Sequence, residues 1–326
     1  MSQSSIYYHL RPNKAIDRFL FIDLLMRLNR VCSIPSYRYV GFGSWAFDDF
    51  KLIHRQLGIN DMVSLEADSS VYKRQLFNCP FECINPLEMT SNRYISEFEA
   101  NKPTIFWLDY ADPNNLRGQI DEFCLLIGKL NTKDIIKITL NAHPSNLGGD
   151  KKERNVEVFH QQRLESLLKQ IGDYLPAQTD YSSIEYDKYP QTLLYALKNA
   201  IYRYYPSGQR KKLLPLTSFE YADGQQMLTF TGIVTENNTQ QTKEILEALN
   251  GWDFINNSWG LCHRIAIPPL TAKERIYLNA CLPGKELQEI CTIFNYSFDG
   301  TSDPKEAIDN YKKYYRYYPN YHQVIF

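Results

Sequence analysis

Apolar runs alternate along the first half of the chain with segments in which apolar residues recur every three or four positions. Residues 38–43, 61–68, 81–86, 103–109 and 134–141 have the length and the β-branched or aromatic content of strands. Strands that alternate with helices in this way are typical of a doubly wound α/β fold with a parallel sheet. The helical periodicity lies at 47–57, 71–77 and 118–130.

The pattern changes after the fifth predicted strand. Residues 213–221 and 226–235 are two strand-like runs joined by Asp223-Gly224, a dipeptide suited to the positive φ angles of a tight turn. They predict an antiparallel hairpin. The sheet is therefore expected to have seven strands, mostly parallel, with this hairpin at its end.

The helical pattern also sets the expected domain limits. An amphipathic helix is predicted within residues 1–30, and residues 238–326 contain short helices, one of them introduced by a capping box of Thr271 and Glu274. We therefore predict a Rossmann-like domain at 1–237 and a small helical extension at 238–326 that packs on it.

Three polar or glycine-rich positions fall where predicted strands end. The first strand runs into Gly41-Phe42-Gly43, a strand, turn and helix arrangement that can receive a nucleotide-like ligand. Glu66 ends the second strand 23 positions after Gly43, close to the offset at which an acid reaches ribose hydroxyls in a dinucleotide-binding unit. Asp109 ends the apolar run at 103–109, so it should lie at the carboxyl edge of the sheet.

With these residues, the chain between about 35 and 235 resembles the class I S-adenosylmethionine (SAM) dependent methyltransferases. The third glycine of that family's turn is absent, since Ser44-Trp45-Ala46 follows Gly43. The resemblance implies SAM as cofactor and methyl transfer, with oxygen as the expected acceptor atom. The roles it implies are a turn against the methionine part at Gly41, Gly43 and Ser44, ribose binding at Glu66, adenine contact at Asn85, and a methyl-facing edge at Asp109 and Tyr110.

Further polar residues are expected at the same edge of the sheet. Asp112, Asn141 and His143 follow the ends of the fourth and fifth predicted strands. Either Asp109 or His143 would be a suitable general base for a hydroxyl nucleophile. Asp112 and Asn141 either line a substrate pocket or complete turns, and an Mg²⁺ site made of these oxygens is the alternative. We predict no metal site.

The N-terminal helix carries a group of cations. Arg11, Lys14 and Arg18 are either solvated and ion-paired or placed to hold an anionic group of the cofactor or substrate.

Composition restricts the function classes. The 326 residues have a net charge of −1, so the chain as a whole has no electrostatic attraction to nucleic acid. No apolar run reaches membrane-spanning length and no signal peptide is evident, which predicts a cytoplasmic protein. The acceptor is expected to be a small molecule, a nucleotide or a protein.

An inactive methyltransferase-like subunit or ligand sensor is the alternative function. It would act through a protein partner, and the tyrosine-rich segment 311–321 is either the contact surface for that partner or a tail folded back on its own domain.

Overall fold

The computed structural model describes residues 11–110, 112–149, 155–206, 210–237, 239–300 and 303–319. Within these residues, eight strands form one sheet in the order β3-β2-β1-β4-β5-β7-β6-β8. Strands β1 to β5 pair in parallel, and β7 runs antiparallel to β5. The strands are β1 Arg38–Gly41, β2 Asp61–Glu66, β3 Ile84–Glu88, β4 Thr104–Asp109, β5 Ile135–Asn141, β6 Lys211–Asp223, β7 Gln225–Glu236 and β8 His263–Ile265.

Helices follow the parallel strands as the periodicity predicts. In the described part of the chain, none of them is both long and apolar enough to span a membrane. The helices are α1 Pro12–Leu28, α2 Asp48–Leu57, α3 Ser69–Asn78, α4 Ser91–Glu97, α5 Leu116–Lys129, α6 Val156–Ile171, α7 Tyr189–Tyr204, α8 Thr239–Ala248, α9 Ala272–Cys281, α10 Leu287–Ile293 and α11 Pro304–Tyr314.

The central strands are apolar because a parallel sheet is covered on both faces. Val40, Phe106 and Ile136 occupy adjacent strands and belong to one buried cluster with the apolar stripes of α5 and α7. Phe123 of α5 and Leu197 of α7 are fully buried in this cluster. The packing fixes the sheet from which the polar strand ends project.

The predicted fold class is confirmed, with two differences in detail. The sheet has eight strands where seven were predicted, because β8 has only three residues and leaves no readable periodicity. The predicted third strand at 81–86 begins and ends too early, since β3 is Ile84–Glu88. The predicted hairpin is present as β6 and β7, with Gly224 at φ +103° between them.

The backbone groups into two compact units. The larger contains Ile22–Glu220 and Gln225–His263, and the smaller contains the described residues 11–21, 221–224 and 264–319. A division into domains at residues 237 and 238 stays a prediction.

Asn13 organises the smaller unit. Its Nδ2 atom donates to the Ala222 carbonyl oxygen at 2.9 Å and to Asp223 Oδ1 at 3.0 Å, while its Oδ1 atom accepts from the Ile267 N–H at 2.9 Å. Asn13 itself is buried, with 7% of its surface exposed. One side chain thus ties the start of α1 to the hairpin turn and to the segment before α9.

The tyrosine-rich segment is partly internal. Tyr311 and Tyr314 have no exposed surface, and the Tyr311 hydroxyl donates to Asn279 Oδ1 at 2.7 Å within the same unit. Those two rings are core residues, as expected for a segment folded back on its own unit. Residues 320–326 lie outside the described residues.

The capping box at α9 yields a prediction. Thr271 Oγ1 accepts from the Glu274 N–H, and Glu274 Oε2 accepts from the Thr271 N–H at 2.7 Å. Replacing Thr271 with Ala should lower the free energy of unfolding by about 1 kcal/mol, because a helix N–H loses its acceptor. Urea unfolding followed by circular dichroism measures this, with exposed Lys273→Ala in the same helix as the control. Equal stability of the two variants would contradict it.

Candidate active site

A cleft of about 570 Å³ opens at the carboxyl ends of β1, β2, β3 and β4. Its volume falls in the usual range of small-molecule sites, about 300 to 1,000 Å³. The strand order reverses between β1 and β4, which is where ligands bind in open α/β sheets. The lining residues are Phe42, Leu65, Ala67, Met89, Thr90, Ser91, Asp109, Tyr110, Asp112, Pro113, Asn115, Gln119 and Glu122.

The glycine turn joins β1 to α2 at this edge. It is closed by a hydrogen bond from the Phe47 N–H to the Gly43 carbonyl oxygen at 2.9 Å. Gly43 has no space for a side chain, since a Cβ there would meet Ser64 Oγ and the ring of Phe47. Ser44 and Phe47 have positive φ angles, 48° and 55°, which non-glycine residues rarely adopt.

Glu66 ends β2 inside the protein. Only 1% of its surface is exposed, its Oε1 atom accepts from the Asp68 N–H at 2.9 Å, and its Oε2 atom has no hydrogen-bond partner among the described residues. Burial raises the pKa of this carboxyl group above its ordinary value, because the charged form loses hydration. An unsatisfied buried oxygen is costly and is suited to accept a hydrogen bond from a ligand hydroxyl.

Tyr110 and Glu122 form a hydrogen-bonded wall of the cleft. The Tyr110 hydroxyl donates to Glu122 Oε2 at 2.6 Å, and Ser91 Oγ donates to the same oxygen at 2.7 Å. Burial, together with the nearby Glu122 carboxylate, raises the pKa of Tyr110 well above its ordinary value. Tyr110 is therefore a neutral residue, and its hydroxyl hydrogen is engaged in the hydrogen bond to Glu122. Asp109, the last residue of β4, remains as a candidate for the general base.

His143 lies just beyond β5 and begins a short 3-10 helix, Pro144–Leu147. Its Nδ1 atom accepts from the Ser145 N–H at 3.2 Å, so the proton of the neutral imidazole is on Nε2. Burial and the neighbouring Arg163 lower the pKa of His143. In this form the ring offers a donor at Nε2, whereas a general base needs a free lone pair there.

Asp112 and Asn141 are used in local turns. Asp112 Oδ1 accepts from the N–H and the side-chain amide of Asn114, at 2.9 and 3.0 Å. Asn141 Oδ1 accepts from the His143 N–H at 3.0 Å and from Asn146 Nδ2 at 2.7 Å. Throughout the described ranges, no group of three or more His, Cys, Asp or Glu residues is arranged to hold a metal ion.

The remaining predicted residues lie away from the strand ends or in the other unit. Asn85 is the second residue of β3 and is exposed, and Glu88 rather than Asn85 ends that strand. The position of Asn85 therefore gives its predicted adenine contact no support. Arg11, Lys14 and Arg18 belong to the smaller unit, where Lys14 donates its N–H to Asp223 Oδ2 at 2.7 Å and Arg18 is buried. Their role in binding stays a prediction.

Several residues of this region were not predicted from the sequence. Ser91, Glu122 and Gln75 are on helices, and their sequence patterns do not distinguish them from ordinary polar positions. Ser64 does leave a signal. It interrupts an apolar strand two positions before Glu66, which places both side chains on one face of β2.

One protein family and several solved structures are similar to this chain. A family model described as "Putative O-methyltransferase" matches residues 6–326. No curated protein matches the chain. The predicted resemblance to methyltransferases is confirmed by the family match.

Several solved structures are similar to the chain at low sequence identity, and their TM-scores are below 0.5. Trm1 from Pyrococcus horikoshii with S-adenosyl-L-methionine is 11% identical, with 76% of this chain and 61% of that chain covered and a TM-score of 0.44. A putative O-methyltransferase from Klebsiella pneumoniae is 9% identical, with 72% and 83% covered and a TM-score of 0.39. The N-methyltransferase NodS from Bradyrhizobium japonicum WM9 is 9% identical, with 68% and 97% covered and a TM-score of 0.37. Because the family model spans almost the whole sequence, the chain belongs to the family described as "Putative O-methyltransferase".

Proposed function

We propose that the chain binds SAM in the cleft at the carboxyl ends of β1 to β4 and transfers its methyl group to a hydroxyl oxygen. The observation that carries the proposal is Glu66, a buried carboxylate at the end of β2 with one oxygen unbonded among the described residues. A vicinal diol such as ribose supplies the hydroxyl donors that this oxygen lacks.

The cleft suits an adenosine group in its volume and in the polarity of its lining. Phe42, Leu65 and Met89 provide apolar surface, which would pack on the base and exclude water. Ser91 and Tyr110 both donate to Glu122, so the polar wall is held in place by hydrogen bonds within the protein. These residues fit the cofactor that the family implies.

Bound SAM would supply a methyl group activated by a sulfonium sulfur. The protein's part is to orient the acceptor and to remove its hydroxyl proton. We assign the second task to Asp109, because it ends β4 and lines the cleft. Most of the acceleration would come from alignment of the two reactants and exclusion of water, because transfer from a sulfonium neutralises charge.

Glu66→Gln tests the cofactor site. Titration calorimetry with S-adenosylhomocysteine (SAH) should show affinity reduced by about 1 to 3 kcal/mol, because the neutral amide accepts hydroxyl hydrogen bonds more weakly. The variant should fold normally, since glutamine has the shape of the protonated acid that burial favours. Exposed Glu247→Gln is the matched control. Unchanged affinity in Glu66→Gln would refute the ribose assignment.

The raised pKa of Glu66 predicts that binding is linked to pH. Hydroxyl donors favour the carboxylate, so the ligand should lower the pKa of Glu66 and release protons when it binds. SAH affinity should fall as the pH is lowered through the raised pKa of the free protein. Calorimetry in two buffers of different ionisation enthalpy measures the released protons. The release should disappear in Glu66→Gln, and a release that persists there would point to another group.

Asp109→Asn tests the chemistry. Transfer of a labelled methyl group to a panel of phenols, hydroxy acids and nucleosides should fall by about 10²- to 10⁴-fold, as expected when a general base is lost. SAH affinity should stay within about threefold, which is less than one hydrogen bond contributes. Asp253→Asn, at an exposed position outside the cleft lining, is the control and should retain activity. Full activity in Asp109→Asn would remove Asp109 from the mechanism.

A further inference from the structure

A pair of buried polar residues lies against the glycine turn, and the function proposed above assigns no role to either of them. Ser64 is on β2 and Gln75 is on α3, and neither has any exposed surface. Buried polar side chains are kept where they satisfy specific partners. Here the partners are backbone groups of the turn itself.

Three hydrogen bonds join the two side chains to each other and to the turn. The Gly43 N–H donates to Ser64 Oγ at 3.1 Å, and Ser64 Oγ donates to Gln75 Oε1 at 3.2 Å. Gln75 Nε2 then donates to the Ser44 carbonyl oxygen at 2.7 Å. The chain of bonds leaves the turn at Gly43, passes through β2 and α3, and returns at Ser44.

The turn needs such support because of its backbone conformation. Ser44 and Phe47 have positive φ angles, a conformation that glycine adopts readily and other residues rarely do. Non-glycine residues keep such angles only when the surrounding structure enforces them. Gln75 donates a hydrogen bond to the Ser44 carbonyl oxygen. The guanidinium carbon of the neighbouring Arg74 lies 3.9 Å from the centre of the Trp45 ring. Helix α3 therefore contacts the turn at two consecutive residues.

The same strand links the turn to the carboxylate. Ser64 and Glu66 are two positions apart on β2, and consecutive residues of a strand alternate between its faces. Both side chains therefore project from one face of the strand. A shift of Ser64 relative to Gly43 would change the distance between the turn and Glu66.

We propose that Gln75 is a positioning residue of the cofactor site. Through Ser64 and the Ser44 carbonyl it fixes the glycine turn relative to Glu66, so that both parts of the site meet the same ligand. The inference rests on the proposed function, since it requires that SAM or SAH binds there.

The test measures SAH affinity in the full chain, at a temperature where circular dichroism shows every variant to be folded. Gln75→Met preserves volume but removes both hydrogen bonds, and Ser64→Ala removes the hydroxyl between Gly43 and Gln75. Each should weaken SAH binding about tenfold, the effect of losing one or two hydrogen bonds. The double variant should be little weaker than either single variant, because both act through one network.

Two further variants separate positioning from general stability. Ser44→Gly in the Gln75→Met background should recover part of the affinity, since glycine adopts the required φ without cost. Lys73→Gln, at an exposed position on α3, should bind like the unmodified chain. If the role of Gln75 were merely structural, Gln75→Met would lower the melting temperature and leave the SAH affinity of the folded protein unchanged.

The outcomes are distinguishable. If the unmodified chain does not bind SAH, the proposed function fails and the inference fails with it. If the unmodified chain binds SAH and both Gln75→Met and Ser64→Ala bind it equally well, the positioning role is overturned while the proposed function stands. If Gln75→Met does not fold, the affinity of Ser64→Ala decides between these outcomes.

Discussion

The parallel pairing of β1 with β4 is the constraint on which the site depends. The two strands are neighbours in the middle of the sheet. From this pair the chain continues the sheet in opposite directions, to β2 beside β1 and to β5 beside β4. The segments that leave their carboxyl ends must diverge, which opens a crevice between them. Gly43 follows the end of β1 and Asp109 ends β4, so the paired strands bring both residues to the edge of the sheet where this crevice opens.

The polar residues of the site are expensive to bury, and the fold confines that cost to a few positions. On β2, apolar Val63 and Leu65 point into the main core while Ser64 and Glu66 face the other way. One strand thereby contributes to the hydrophobic cluster and also carries two buried polar groups. The stability of the sheet, supplied by the apolar face, permits Glu66 to bury an oxygen that has no hydrogen-bond partner in the described part of the chain.

The sequence predicted those features that follow from local spacing. The turn at Gly41 to Gly43, the acid at Glu66 and the hairpin around Gly224 each have a signature that fits within one strand and its adjoining turn. The end of β3 was predicted two residues too early, so Asn85 was expected nearer the strand end than it lies. Among the described strands β3 pairs only with β2 and is partly buried, so its apolar pattern does not mark its end. Gln75 and Glu122 could not be found in this way. Gln75 bonds Ser64 and Ser44, which are 11 and 31 residues away along the chain. Glu122 bonds Tyr110 and Ser91, which are 12 and 31 residues away. Only the folded chain brings these partners together.

The capping role of His143 determines whether its ring donates or accepts hydrogen bonds at the site just beyond β5. Because the Ser145 N–H occupies Nδ1 and the pKa is lowered, the imidazole is an uncharged hydrogen-bond donor near neutral pH. A molecule that reached His143 would meet the Nε2–H donor, and an oxygen lone pair would form a hydrogen bond with it. An ammonium group would find no free acceptor on this ring. The donor character of His143 thus follows from its structural role, which is to begin a helix of four residues.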